Sequence, residues 1–228
     1  LLAALADITG SFETAVRETG NILAIQGRVL PLSLERIDLR ASMADGACVE
    51  GESEITAYPA RIHRLQLSPP DPEPLPEALQ AIEQAEVVVI GPGSLYTSVL
   101  PTLLPSAVRE ALARSTGTKV YVCNVMTQPG ETDDYTAADH VRTLYEHGAG
   151  ECFDFVLINN EEPPVDAQER YLLQGAAPVL PDLDEVAALG YSPVAAPLLQ
   201  RDHFVRHNPR KLARALLTIW SGSLADPA

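Results

Sequence analysis

The most abrupt change of pattern along the chain falls where four apolar residues, Val87-Val88-Val89-Ile90, give way to Gly91-Pro92-Gly93-Ser94. An unbroken β-branched run predicts a strand over 86–90, buried on both faces and ending in a tight turn with hydroxyl side chains behind it. Around this point strand and helix patterns alternate. A helix over 76–85 precedes the strand, and Pro105 suits the first residue of a helix running to about Arg114. Residues 119–125 form the next strand, and a helix over 134–147 carries Ala138, Val141, Leu144 and Tyr145 on one face. A strand at 153–158, a helix at 164–174, a short strand near 178–180, a short helix at 183–189, a strand at 193–199 and a last helix at 209–220 complete the series. Strands separated by helices predict an α/β fold: a three-layer, mainly parallel Rossmann-like sheet with helices on both faces.

The first third of the chain follows another rhythm. Residues 1–25 read as two helices broken at Thr9-Gly10, with Ser11 and Glu13 placed to open the second and Gly20-Asn21 to end it. From 36 to 67 apolar and polar residues alternate: Ile37, Leu39, Ala41 and Met43 precede an Asp45-Gly46 hairpin turn, Val49 and Ile55 continue beyond it, and 61–67 alternates again. This predicts a small antiparallel β subregion inserted into the main domain or packed beside it. Five of the nine residues 68–76 are proline, which makes that stretch a stiff connector.

Length and charge narrow the possibilities. The 228 residues suffice for one good-sized α/β domain, and the opening Leu1-Leu2-Ala3, without Met or a basic stretch, reads as the interior of a longer protein. A net charge of −15 argues against general affinity for nucleic acid or an anionic membrane, so an anionic ligand requires a local site. No apolar run approaches the length of a membrane span. Cys48, Cys123 and Cys152 are odd in number and widely spaced, which predicts buried free thiols and neither a disulfide framework nor a zinc site.

In parallel sheets ligands bind beyond the carboxyl ends of the strands. Three such ends are polar here: Gly91 to Ser94, Asn124 with the loop 126–133, and Asn159-Asn160-Glu161-Glu162. Their coincidence favours a ligand cleft. The unpaired N–H groups of the Gly-Pro-Gly corner suit a phosphate or carboxylate, although the chain lacks a third glycine for a dinucleotide fingerprint and a lysine for a Walker loop. Ser94, Thr97 and Ser98 fit helix capping as well as phosphate contact, and Thr132 and Asp133 fit the cap of helix 134–147 as well as a cation site. No nucleophile motif is present. His140 and His147 stand two turns apart, too far for one ion without a third ligand, and are expected at the surface. Residues 202–209 place His203, Arg206 and His207 before the last helix, which fits either an entry capped by Asn208 or a ligand contact.

Residues 90–101 (Ile-Gly-Pro-Gly-Ser-Leu-Tyr-Thr-Ser-Val-Leu-Pro), 121–133 (Tyr-Val-Cys-Asn-Val-Met-Thr-Gln-Pro-Gly-Glu-Thr-Asp) and Val205-Arg206-His207 resemble the YvcK family, also called gluconeogenesis factor, of the CofD-like superfamily. Residues 27–31 and 49–53 extend the resemblance over nearly the whole chain. It implies a cytoplasmic bacterial protein that binds UDP-N-acetylglucosamine and links central carbon metabolism to cell-wall precursor synthesis and cell shape. No catalytic activity, cofactor or metal is settled by it. Tyr171 and Arg206 match positions that matter for the sugar nucleotide, joining Gly91, Gly93, Ser94 and Asn124 as expected ligand-binding residues. A tyrosine stacks on a uracil or sugar face, and an arginine grips a diphosphate with two prongs. The implied partners are the sugar nucleotide, an enzyme of amino-sugar synthesis and a second copy of the chain. The alternative is a CofD-like transferase that moves a phosphate-linked group from a nucleotide donor. The family's opening strand and Gly-rich loop are expected before residue 1, so residues 1–228 read as one domain lacking its N-terminal nucleotide-binding unit.

Overall fold

The computed structural model describes residues 1–24, 26–201 and 204–222. Its main sheet has four strands, β4 (Val87–Ile90), β5 (Thr118–Val122), β6 (Phe155–Asn159) and β7 (Ser192–Ala196), all parallel and in the order β4-β5-β6-β7. Alternation along the strands sends side chains into two separate cores. Tyr121, Val156 and Ile158 face the larger one, with Leu100 and Leu103 of the short α5 (Leu100–Leu103), Val108 and Leu112 of α6 (Ser106–Arg114) and Val141 and Leu144 of α7 (Ala137–Leu144). Val120, Val122 and Leu157 face the other, covered by Leu212, Ala215, Leu216 and Ile219 of α10 (Pro209–Trp220). Helices α4 (Pro76–Gln84) and α9 (Leu183–Ala188) pack on α6 and α7, and thus on the first side. The sheet thus carries helices on both faces. Strand β4 departs from the expectation of burial on both faces: it is an edge strand, and Val89 is 40% exposed.

The antiparallel subregion is a three-stranded sheet, order β2-β1-β3, from β1 (Asp38–Met43), β2 (Cys48–Glu50) and β3 (Ile62–Ser68). Asp45 Oδ1 accepts the Ala47 N–H at 3.0 Å and Gly46 takes φ +88°, which makes the β1–β2 turn. The strand pattern expected to continue through Ile55 is instead a helix, α3 (Glu52–Ala57). Gly51 at φ +102° turns the chain, Glu52 and Glu54 suit the first turn, and Ile55 is fully buried. The two N-terminal helices form as expected, α1 (Leu2–Thr9) and α2 (Phe12–Ile22), with Ser11 accepting from the Thr14 N–H at 3.2 Å, although α2 runs on past Gly20.

The predicted helix over 134–147 is shorter at both ends. Thr136 and Asp139 form a capping box that starts α7, and after Leu144 the chain passes through a π-turn (Tyr145–Ala149) containing Gly148 at φ +79°. Both histidines are buried, His140 at 0% and His147 at 5% exposure, which corrects their expected surface placement. The cause is tertiary. His147 Nε2 accepts the Leu65 N–H of β3 at 3.0 Å while its Nδ1–H donates to the Thr143 carbonyl at 2.7 Å, so a neutral imidazole ties the antiparallel sheet to the main domain. His140 Nδ1 donates to the Thr136 carbonyl at 2.8 Å and its ring meets Tyr135 edge-on. The cysteines are free; Cys123 and Cys152 are buried, whereas Cys48 is exposed on a short edge strand. The expected strand near 178–180 reduces to a single Met126–Pro178 bridge. The run expected as one strand at 193–199 divides into β7 and β8 (Leu199–Arg201), which pairs antiparallel with β9 (Val205–His207). Among the described residues no helix is long and apolar enough to cross a membrane.

Burial holds the pKa of His140 and His147 below the ordinary value of 6.5. The unfolded chain therefore binds more protons below 6.5, and stability is full above that pH and declines as pH falls beneath it. Urea unfolding at pH 7.5 and 5.5 is expected to show a lower midpoint at pH 5.5. In His147→Gln, which keeps an acceptor for Leu65 but cannot titrate, the difference is expected to shrink.

Candidate functional site

The carboxyl end of the parallel sheet is assembled by close backbone approach. Gly91 leaves β4 at φ +80°, and a Cβ there would lie 3.3 Å from the Val122 carbonyl, so the corner is drawn across the top of β5. Ser94 then caps a π-helical turn (Leu95–Val99), accepting from the Thr97 N–H at 3.3 Å. Its hydroxyl donates to Glu131, and the Thr97 hydroxyl lies 2.7 Å from Ser94 Oγ. Thr97 and Thr56 hydroxyls both stand 3.4 Å from Glu131 Oε1. Glu131 is 6% exposed and accepts the Ser94 hydroxyl, whereas the Thr97 proton goes to Ser94 Oγ and the Thr56 proton to the Glu52 carbonyl at 3.0 Å, so both threonine hydroxyls lie beside Glu131 without donating to it. Gly130, at φ +82°, is pressed so closely on α3 that a Cβ would meet the Thr56 carbonyl at 2.3 Å.

The loop between β5 and α7 is closed internally. Thr132 Oγ1 accepts the Gln128 N–H at 2.9 Å, and Asp133 Oδ2 accepts the Gly130 N–H at 2.8 Å. The two residues expected to cap the following helix instead shape the loop, and Thr136 takes the cap. Asn124 Nδ2 donates to Gln128 Oε1 at 3.3 Å. At the end of β6 the polar residues are architectural. Asn159 Oδ1 accepts the Leu198 N–H at 3.1 Å, and Glu161 accepts the Lys211 ammonium at 2.9 Å and the Leu199 N–H at 3.3 Å.

Helix α8 (Val165–Leu172) and β9 complete this end of the sheet. Val125, Met126, Ala167, Leu199 and Val205 form a small core with Tyr171 against it, which brings α8 and β9 to the stretch following Asn124. The Tyr171 hydroxyl accepts the Val205 N–H at 3.1 Å, fixing the ring. Arg206 is exposed, with its guanidinium carbon 5.1 Å from the Phe204 ring centre, and among the described residues it has no carboxylate at ion-pair distance. Arg170, Tyr171, Gln174 and Phe204 line a cavity of about 480 Å³. Burial holds the His207 pKa below 6.5 against its hydrogen bond to the Cys123 backbone. Asn208 accepts from the Arg210 and Lys211 N–H groups and caps α10, as expected; Asp202 and His203 lie outside the described residues.

The structure thus sets Gly91, Gly93 and Ser94 beyond β4, Asn124 beyond β5, and Tyr171 and Arg206 on elements packed against the chain that follows Asn124. The Ser94 side chain is engaged with Glu131 and Thr97, so the corner offers its backbone more readily than its hydroxyl. Sequence reasoning passed over Glu131. The only local signal was an acidic residue directly after Pro129-Gly130, and nothing along the chain pairs it with Ser94 or Thr56.

Residues 1–199 match the family described as 2-phospho-L-lactate transferase CofD. The chain is similar to the gluconeogenesis factor of Bacillus subtilis, 41% identical over 220 residues, a match covering 96% of this chain and 69% of that protein. It is likewise similar to that of Halalkalibacterium halodurans, 43% identical over 218 residues, with 95% and 68% covered. A Nostoc relative is 44% identical over 225 residues, 97% of this chain, which spans only 49% of that longer protein. The crystal structure of a UPF0052-family protein from Bacillus halodurans superposes with a TM-score of 0.90 at 43% identity, covering 95% of this chain and 71% of the other.

Replacing Glu131 by Ala leaves the half-buried Ser94 hydroxyl without its acceptor and opens the space between the Gly91 corner and α3, and is expected to destabilise the fold by about 1–3 kcal/mol. Glu131→Gln, which retains one acceptor oxygen, is expected to cost less. Urea denaturation of the two variants checks the order.

Proposed function

This chain belongs to the CofD family, and within it we propose that it is a cytoplasmic regulator that binds UDP-N-acetylglucosamine and links carbon metabolism to cell-wall precursor synthesis and cell shape. The observation that carries the reading is the pairing of Arg206 with Tyr171 at the carboxyl end of the sheet. In a chain of net charge −15, an exposed guanidinium without a carboxylate partner among the described residues stands one residue from Val205, whose N–H holds the Tyr171 hydroxyl. Cation and aromatic side chain at one edge suit a ligand that is anionic in its diphosphate and flat in its base.

The Gly91-Pro-Gly93 corner supports the same reading from across the sheet. It offers backbone N–H groups beside β5, where a side chain on Gly91 or Gly93 would crowd Val122 or Ser98. Asn124 supplies a neutral amide between the corner and the Tyr171 region. The name of the Bacillus relatives, gluconeogenesis factor, supports the metabolic part of the proposal. The description of the family as a transferase supports the second reading, transfer of a phosphate-linked group from a nucleotide donor. Nucleotide release from a donor incubated with the full-length protein and magnesium separates the two, since a regulator gives no sustained turnover.

Arg206→Ala is expected to weaken UDP-N-acetylglucosamine binding by about 1.5–3 kcal/mol, roughly ten- to a few-hundredfold, as the loss of a charge-assisted contact. Isothermal titration of the full-length protein measures it, and an unchanged affinity would remove Arg206 from the site.

A further inference from the structure

A second cavity, of about 410 Å³, opens between the antiparallel sheet and the main domain and shares no residue with the cleft described above. Its charged lining consists of three guanidinium groups, Arg40 on β1, Arg64 on β3 and Arg109 on α6, and no carboxylate. Gln66 and Ser68 add neutral polar groups, and His147 contributes a neutral ring whose two nitrogens are already committed. In a chain with 31 acidic and 16 basic residues such a lining is against the general composition.

The three arginines are not equivalent. Arg40 pairs with Glu50 at 3.1 Å. Arg64 and Arg109 bond only to carbonyl oxygens: Arg64 Nη1 donates to Glu146 at 3.4 Å, and Arg109 Nη1 to Leu103 at 3.2 Å and to Leu104. Among the described residues neither has a carboxylate at ion-pair distance. Asp71 lies near enough to feel the Arg109 charge, but its carboxylate oxygens are held by the Ser106 N–H and hydroxyl at 2.8 and 2.6 Å. Two largely uncompensated guanidinium groups, each bonded through a single nitrogen, therefore face one cavity from different layers of the fold.

We infer that this cavity is a binding site for a phosphate-bearing small molecule, held between Arg64 of the antiparallel sheet and Arg109 of the main domain. A tetrahedral phosphate presents oxygens to forks on two walls at once, whereas a planar carboxylate presents both of its oxygens to one. The volume exceeds that of phosphate alone and lies in the range of small-molecule pockets, which points to a phosphorylated metabolite. The inference is independent of the sugar-nucleotide cleft.

Inorganic pyrophosphate serves as the probe, titrated calorimetrically at low ionic strength into full-length protein carrying Arg206→Ala, so that binding at the other cleft is weakened. One saturable site is expected, weakened at least tenfold by adding Arg64→Gln and to an intermediate degree by Arg64→Lys, which keeps the charge and loses the fork. Arg64 is exposed and bonded only to one distant carbonyl, so an unaltered thermal midpoint without ligand is expected in both variants. Absence of saturable binding in the Arg206→Ala protein, or equal affinity with and without Arg64→Gln, overturns the site.

Discussion

The carboxylate of Glu131 is the point on which the carboxyl end of the parallel sheet depends. Buried and without a basic neighbour at ion-pair distance among the described residues, it accepts the hydroxyl of Ser94 and lies against those of Thr97 and Thr56. A buried carboxylate is costly unless its hydrogen-bonding capacity is met, so it favours the one arrangement in which those hydroxyls converge. That arrangement fixes the Gly-Pro-Gly corner after β4, the loop after β5 and the helix α3 of the antiparallel subregion relative to one another. The close approach of Gly130 to the Thr56 carbonyl belongs to the same constraint, because any side chain there would push the two segments apart.

A second tie, His147, works at the opposite side of the same junction. By taking the Leu65 N–H it satisfies a backbone donor on the outer edge of β3, which no further strand of the described residues covers. The antiparallel subregion is thereby joined to the main domain through a carboxylate on one side and an imidazole on the other, beside the Arg61–Asp134 ion pair and the core that the two parts share. The arginine-lined cavity lies beside the second tie. Its charge is set by which side chains the two layers bring together, and an anion there would join the layers further.

The carboxyl edge of the sheet shows how many of the polar strand ends serve architecture. Asn159 and Glu161 are consumed in holding β8 and α10, and Thr132 and Asp133 in closing their own loop. What remains exposed at this edge is the backbone of the Gly91 corner and the Arg206 guanidinium beside Phe204, while the Asn124 amide is half-buried and bonded to Gln128. Membership of the CofD family and the close similarity to the Bacillus halodurans structure rest on the scaffold as a whole.

Much of that scaffold was legible along the chain, since the features that determine it are local. Runs of β-branched residues alternating with helical periodicity define the parallel sheet. Asp45-Gly46 makes the hairpin, Ser11 and Asn208 cap their helices, and α10 keeps the bounds its pattern predicts, Pro209–Trp220. The α/β class, the separate antiparallel subregion and the Gly-rich edge therefore belong to the sequence itself. Only the tertiary structure decided the burial of His140 and His147, the helix at Glu52–Ala57, the open edge at Val89 and the role of Glu131. The burial of His147 and the role of Glu131 depend on partners far along the chain, Leu65 and Ser94, and thus on what the folded chain brings within hydrogen-bonding distance. Periodicity reports which face of an element is apolar; it carries no information about which distant group will meet a polar side chain there.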